Sequence, residues 1–395
     1  MTAVAAEYIR QHLIDPSICT RCNTCESSCP IGAITHDVNN YVVKAEVCNG
    51  CLECTWGCPT GAIDSWRTVP RAQAFSIEQQ FSWRTLPEAL AIPEDAAIAV
   101  SPAPTSALRP SAPHSAASAA ENLFTLEKPA SARLVGNERL TTAHNGSDIH
   151  HIVLDFGAQH FPVLEGQNIG ILPPGVDANG RPHAMRSYSI ASARDGETAG
   201  GNEVALTIKR VVEDHEGKPT KGVASTYVCD LPLGSEIKVV GPFGGIYLMP
   251  NHPGSHLLMI CTGTGIAPMR AMIERRKRVP VVGRQVLFYG GRAPEDMAYH
   301  DELVVQAQHG LELHTAYSRV PGRPKQYVQD GLRAKATDIA ALLRDEQTHL
   351  YVCGLKSMEE GILDALKDIC TLHGLDWEEV KQQMRGHGRV HFETY

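Results

Sequence analysis

The sequence has no run of roughly eighteen apolar residues, and so no segment long enough to cross a bilayer as a helix. It also lacks the basic stripe that follows a nucleic-acid backbone, and its formal charge of -8 points the other way. Residues 1–15 contain no basic stretch followed by an apolar one, the pattern of a secretory signal. The 18 histidines show no paired ligand spacing beyond His150-His151. These absences predict a cytoplasmic protein that engages neither membrane nor nucleic acid. Self-association as a homo-oligomer stays open.

What the sequence does have is cysteine in one place. Of 12 cysteines, eight follow two copies of the spacing C-x2-C-x2-C-x3-C-P: Cys19, Cys22, Cys25, Cys29-Pro30 and Cys48, Cys51, Cys54, Cys58-Pro59. A close triplet of thiolates can wrap one cubane of iron and sulfide, while the fourth cysteine, set off by the proline turn, reaches the other cluster. The spacing therefore predicts two [4Fe-4S] clusters, one on Cys19, Cys22, Cys25 and Cys58 and the other on Cys48, Cys51, Cys54 and Cys29. Zinc motifs place their C-x2-C pairs further apart, and a disulfide lattice needs an oxidising compartment, so both explain the repeat less well. Trp56 reads as an aromatic packed over a cluster to exclude water. Cys229, Cys261, Cys353 and Cys370 read as free thiols.

A chain of 395 residues exceeds one ordinary domain. Residues 1–70 form the cluster domain, too small to bury much apolar core and so dependent on its clusters. Residues 71–121 read as a linker ending in SPAPTSALRPSAPHSAASAA, Ser101 to Ala120. About twenty flexible residues of this kind reach roughly 25 Å. From 122 to 255, short alternating strands (His151 to Phe156, Asn168 to Leu172, Val204 to Lys209, Glu236 to Val240) separated by Gly, Pro and Asn predict an antiparallel β-barrel. From 256 to 395, apolar runs such as Leu257 to Ile260 and Leu350 to Cys353 alternate with helical stretches and predict an α/β domain with a parallel sheet.

Three segments carry the patterns of nucleotide chemistry. In Arg186-Ser187-Tyr188-Ser189-Ile190-Ala191-Ser192, alternation lets Tyr188 lie on a flat ring while its neighbours face elsewhere. Lys221-Gly222-Val223-Ala224-Ser225-Thr226 precedes a probable helix, whose first N–H groups can bind phosphate or be satisfied by a plain cap. Cys261-Thr262-Gly263-Thr264-Gly265-Ile266-Ala267-Pro268 follows an apolar strand and opens a helix, the layout of a dinucleotide turn.

The cysteine-rich stretch resembles the bacterial ferredoxins with two 4Fe-4S clusters, down to the repeated Pro-x-Gly-Ala-Ile at Pro30 to Ile34 and Pro59 to Ile63. From about Gly166 to Tyr395 the chain resembles the ferredoxin-NADP reductase family, particularly its plant-type members. The resemblance implies FAD, with Arg186 on the diphosphate, Tyr188 stacked on the isoalloxazine, Ser189 near its N5, and Gly222, Val223, Ala224 and Ser225 around the phosphates. It implies NADPH on Thr264 and Gly265, with Lys209 holding phosphate and Ser318, Arg319, Lys325 and Tyr327 reading the 2′-phosphate and adenine. By the same resemblance Cys353 packs near the nicotinamide, Tyr395 covers the flavin face on which nicotinamide lands, and Glu393 stands beside it as a polar or proton-handling group. Where plant-type members often carry an aromatic residue over the adenine, this chain has Glu213.

The order of ferredoxin, linker and reductase is similar to the reductase components that supply the diiron benzoyl-CoA 2,3-epoxidase in aerobic benzoate degradation. That similarity implies a separate oxygenase component as electron acceptor. No motif here recognises a CoA ester. Flow in the reverse direction, toward NADPH formation, uses the same sites, and a redox-sensing or scaffold subunit is the reading from a different class.

Overall fold

The structure, a computed structural model, describes residues 8–19, 21, 23–55, 58, 60–92, 98–99, 111–142, 147–176, 180, 182–213 and 217–395. Cys22, Trp56, Pro59 and linker residues 100–110 lie outside them. Among the described residues, no helix is long and apolar enough to cross a membrane. The chain divides into two compact units, residues 1–110 and 111–395.

In the first unit, β1 (Tyr8–Leu13) pairs antiparallel with β4 (Ser65–Pro70) and parallel with β5 (Ile98–Ala99). Between them lie α1 (Thr24–Ser28) and a hairpin of β2 (Ile34–His36) and β3 (Tyr41–Val43). The repeated Pro-x-Gly-Ala-Ile has a physical meaning. Gly32 and Gly61 both adopt positive φ, 63° and 69°, and turn the chain so that Ala33, Ile34, Ala62 and Ile63 are buried. The core that results is small: Ile14, Ile34, Val43, Ala62 and Ile63 pack directly against Cys25 and Cys54, with Cys19, Cys29, Cys48 and Cys58 at its edge.

The expected linker, residues 71–121, differs from its composition at both ends. Helix α2 (Ile77–Ser82) has a capping box between Ser76 and Gln79. Buried Gln80 exchanges hydrogen bonds with the Val43 backbone, and Asn40 donates to the carbonyls of Gln80, Phe81 and Trp83. Gln11 binds Phe75 in the same two-way fashion. Residues from 111 onward pack on the second unit, where Ser115 accepts from Asn251 and His252, and Ala120 accepts from Gln167. Amide side chains at the first end, and Ser115 with Gln167 at the second, supply these attachments, which composition does not show.

The second unit holds two sheets. The first is antiparallel and six-stranded: β6 (Ala130–Arg139), β7 (Ile149–Asp155), β8 (Asn168–Ile171), β9 (Arg186–Ser189), β10 (Glu203–Lys209) and β11 (Glu236–Phe243), in the order β10-β7-β6-β11-β8-β9. A bridge between Ile190 and Leu206 brings its two edges together. Helix α3 (Val223–Asp230) turns Val228 and Cys229 into the core of this sheet.

The second sheet is parallel throughout: β12 (His256–Thr262), β13 (Gln285–Gly291), β14 (Leu311–Tyr317), β15 (Thr348–Gly354) and β16 (Val390–Thr394), ordered β14-β13-β12-β15-β16. Its faces sort by strand period. Leu257, Met259, Cys261, Leu287, Tyr289, Tyr351 and Cys353 meet α4 (Ile266–Lys277) and α5 (His300–Ala307). Leu258, Ile260, Val286, Phe288, Leu350 and Val352 meet α6 (Val328–Ala334), α7 (Ala336–Arg344), α8 (Lys356–Leu372) and α9 (Trp377–Gly386). Buried on both faces, these strands read as continuous apolar runs.

Candidate active site

In the first unit the thiols sort into two sets. Cys19, Cys25 and Cys58 line one pocket walled by Ile14, Tyr41, Ala62 and Ile63. The Cys54 thiol is pushed up first by burial and then by Cys48, Cys29 and Cys51, and Cys48 is raised by burial and by Cys51 and Cys29. Cys29 thus stands with the second motif and Cys58 with the first. Cys48 and Cys54, held protonated by burial and by the thiols around them, need cationic charge beside them to become thiolates, and iron would supply it. The Ala33 N–H already points at Cys29 Sγ, 3.2 Å away. Among the described residues no three His, Cys, Asp or Glu side chains are drawn together as ligands of a single ion.

In the second unit, four sequence-predicted residues converge where β9, β15 and β16 end. Asn168 and Ser189 are partners across β8 and β9, and Glu393 reaches them from β16. Asn168 Nδ2 donates to Glu393 Oε1 at 2.9 Å, while Glu393 Oε2 is enclosed with no hydrogen-bond partner. Burial lifts the Glu393 carboxyl to about 7 against the pull of hydrogen bonds from Asn168 and Ser189. Beside it in strand register lies Cys353, and beside that Cys261, both fully buried. Burial first, then Glu393 and Cys261, raise the Cys353 thiol well above its ordinary value, which favours its neutral form.

Tyr395 is anchored. Its N–H donates to Gly354 O at 3.0 Å, its own carbonyl accepts from Lys356, and its hydroxyl lies 2.6 Å from Thr264 Oγ1. More than half of its surface, 54%, is nevertheless open, while burial of the hydroxyl end raises its pKa. Two of these bonds fix the backbone, and only the hydroxyl contact with Thr264 holds the side chain.

The nucleotide turn follows β12. A 3-10 turn, Gly263–Gly265, leads into α4 and passes so close to β15 that a Cβ on Gly265 would stand 2.2 Å from Cys353 O. Gly354, at φ 142°, abuts Thr262 from the other side. Only glycine permits this approach of backbone to backbone, and the turn spends the Ile266 N–H on the Thr264 carbonyl as it enters α4.

Ser318 and Arg319 extend β14 beside β13: Ser318 N–H donates to Gly291 O at 3.0 Å and Arg319 N–H to Arg292 O at 2.8 Å. Gln326 then donates back to Tyr317 O, which returns exposed Lys325 and Tyr327 to the same end. Lys209, last in β10, has its ammonium pulled down by desolvation and by Arg292.

The residues expected around a flavin divide. Arg186 is exposed and donates to Met185 O, Tyr188 packs half-buried on the antiparallel core, and the Ser187 hydroxyl is enclosed with no partner. At α3, Val223, Ala224 and Ser225 start the helix with N–H groups that have no intrahelical acceptor. The hydroxyl of Ser225 is turned the other way, accepting the Val211 N–H at 3.1 Å, so its side chain clasps the preceding segment while its backbone stays available. The enclosed, unpaired Ser187 Oγ and Glu393 Oε2, together with the open start of α3, fit a polar ring system with a phosphate tail. Asn168, Arg292 and Asp296 have no motif around them, and sequence reading misses all three.

A family model for the oxidoreductase NAD-binding domain matches residues 259–364, and one for the 4Fe-4S binding domain matches residues 12–35. The ferredoxin--NADP reductase of Thermosynechococcus vestitus is 36% identical over 288 residues, spanning 69% of this chain and 75% of that protein. The ferredoxin--NADP reductase of Spirulina sp is 33% identical, spanning 69% of this chain and 98% of that one. Among solved structures, the ferredoxin-NADP+ reductase from Plasmodium falciparum shares the fold with a TM-score of 0.56 at 24% identity, covering 69% of this chain and 99% of its own.

Proposed function

The chain belongs to the ferredoxin-NADP reductase family, and from that premise we propose that this NADP-dependent oxidoreductase passes electrons from NADPH through FAD and two [4Fe-4S] clusters to a separate oxygenase, the diiron benzoyl-CoA 2,3-epoxidase. The observation that carries the reading is the convergence of Ser189, Cys353, Glu393 and Tyr395 beside the Thr264-Gly265 turn, in a chain that also carries the cysteine repeat. When bound, flavin accepts a hydride and releases its electrons singly, which suits one-electron clusters.

The chain's own residues do the rest. The start of α3 and Arg186 hold a diphosphate, and Tyr188 gives the ring a flat neighbour. Tyr395 excludes water until nicotinamide replaces it. Glu393, near 7, can take or return a proton at Oε2 at working pH. Ser318 and Arg319 offer the hydroxyl and cation that a 2′-phosphate requires.

Reconstitution tests the acceptor. Holoprotein, NADPH, purified diiron epoxidase and benzoyl-CoA should together consume oxygen and NADPH in equal amounts, and omitting the epoxidase should stop coupled turnover. NADPH-driven reduction of artificial one-electron acceptors without any transfer to the epoxidase would keep the reductase and reject the partner.

A further inference from the structure

One buried acid at the nucleotide end is used by nothing described so far. Asp296 closes the short turn Pro294–Asp296 directly after β13. It is only 8% exposed, and its Oδ1 is enclosed without a hydrogen-bond partner. The charges that act on it are Arg292, Glu295, Arg319 and Lys209, three of them cations drawn from three different strand ends. Arg292 and Arg319 are locked side by side through the 2.8 Å bond between Arg319 N–H and Arg292 O, and Lys209 is brought in from β10. Among the described residues, none of the three closes a salt bridge, and neither does Asp296. A carboxylate oxygen enclosed without a hydrogen bond destabilises the fold, so the retention of Asp296 Oδ1 in that place needs a charge reason. Three like charges on neighbouring loops repel, and an anion in their midst offsets that repulsion.

We propose that Asp296 is the resident counter-anion of the 2′-phosphate site: it presets Lys209, Arg292 and Arg319 as one cationic cradle and competes with the nucleotide phosphate for them. The proposal rests on the NADPH reading above. It makes Arg292 a phosphate-binding cation alongside Arg319, and Asp296 a positioning residue that limits affinity. Such a limit favours release of NADP+ after hydride has been delivered, because the cations regain a partner as the nucleotide leaves. A purely structural Asp296 would act in the opposite sense, since losing it would loosen the loop and weaken binding.

Calorimetric titration of the holoprotein separates these outcomes. In Asp296→Asn, NADP+ and 2′-phospho-AMP should each bind roughly five-fold more tightly at low ionic strength, with the gain shrinking as salt is added and NAD+ little changed. Asp296→Glu, which keeps the charge, should stay near wild type. Arg292→Gln, an exposed position, should weaken 2′-phospho-AMP by a similar factor while sparing NAD+, and so tests the cradle even if Asp296→Asn fails to fold. Unchanged or weaker NADP+ binding in Asp296→Asn, an equal gain for NAD+, or an Arg292→Gln variant with normal affinity would each overturn the proposal. Wild-type protein that binds no NADP+ would overturn the parent reading as well, a result visible before any substitution is made.

Discussion

At the scale of single residues, Glu393 concentrates the site's pH dependence. Its carboxyl titrates near 7 in the folded protein and near the ordinary glutamate value when unfolded, so the fold prefers the protonated form. The associated stability is complete below about pH 4 and is lost as pH rises through 7, a change of about 3 kcal/mol for a shift of this size. Wild-type protein should therefore lose thermal stability between pH 5 and 7, and Glu393→Gln, neutral throughout, should flatten that slope in calorimetric scans. A variant with the wild-type slope would place the titration elsewhere. Tyr395 governs a different quantity. On the proposed function its ring would cover the flavin, an aromatic contact worth about 0.5 to 1.5 kcal/mol beyond area burial that nicotinamide would have to displace. Tyr395→Ser should lower the NADP+ dissociation constant several-fold and slow turnover, because the nucleotide then leaves reluctantly. Stopped-flow release of NADP+ reads both effects.

Elements set what single residues can reach. The turn between β12 and α4 works only because Gly265 lets it pass against the Cys353 carbonyl at β15. Gly265→Ala must push these strands apart by more than an ångström, so nucleotide binding should be lost while iron content stays at wild-type level, as difference titration and iron analysis would show. In the cysteine unit, the grouping of Cys58 with Cys19 and Cys25 predicts that Cys58→Ala removes the signal of the cluster held mainly by the first motif. Paramagnetic resonance of the reduced protein should then retain the second cluster, and loss confined to that second cluster would reverse the assignment. Legibility in the sequence also divides by element. The strands of the parallel sheet were readable because burial on both faces makes them uniformly apolar, and the glycine turn because backbone proximity admits one residue type. Helix α2 was not, since what docks it is Gln80 and Asn40 bonding to backbone, a use of amides that leaves no pattern in composition.

At the scale of the whole molecule, the two units draw on different sources of stability. The first has few buried aliphatic side chains and places thiols inside its core, whereas the second holds large apolar clusters on both faces of its parallel sheet and a third inside the antiparallel one. Chelating the iron should therefore abolish hydrogen-exchange protection across β1, the β2–β3 hairpin and β4 while leaving β12 to β16 protected. Equal loss in both units would mean that the second unit's cores do not suffice alone. The sequence by itself determined the chemistry that depends on fixed local spacing: which cysteines form each motif, where the dinucleotide turn falls, and which strands are buried. Ligand triplets, glycine turns and strand periods are written within a few residues of one another. Tertiary structure alone decided which groups face each other. It set Glu393 against Asn168 across 225 residues, turned the Ser225 hydroxyl inward to Val211, and surrounded Asp296 with cations from three strand ends. Those meetings follow from sheet order and from the cost of burying an unpaired polar group, and neither quantity exists until the chain has folded.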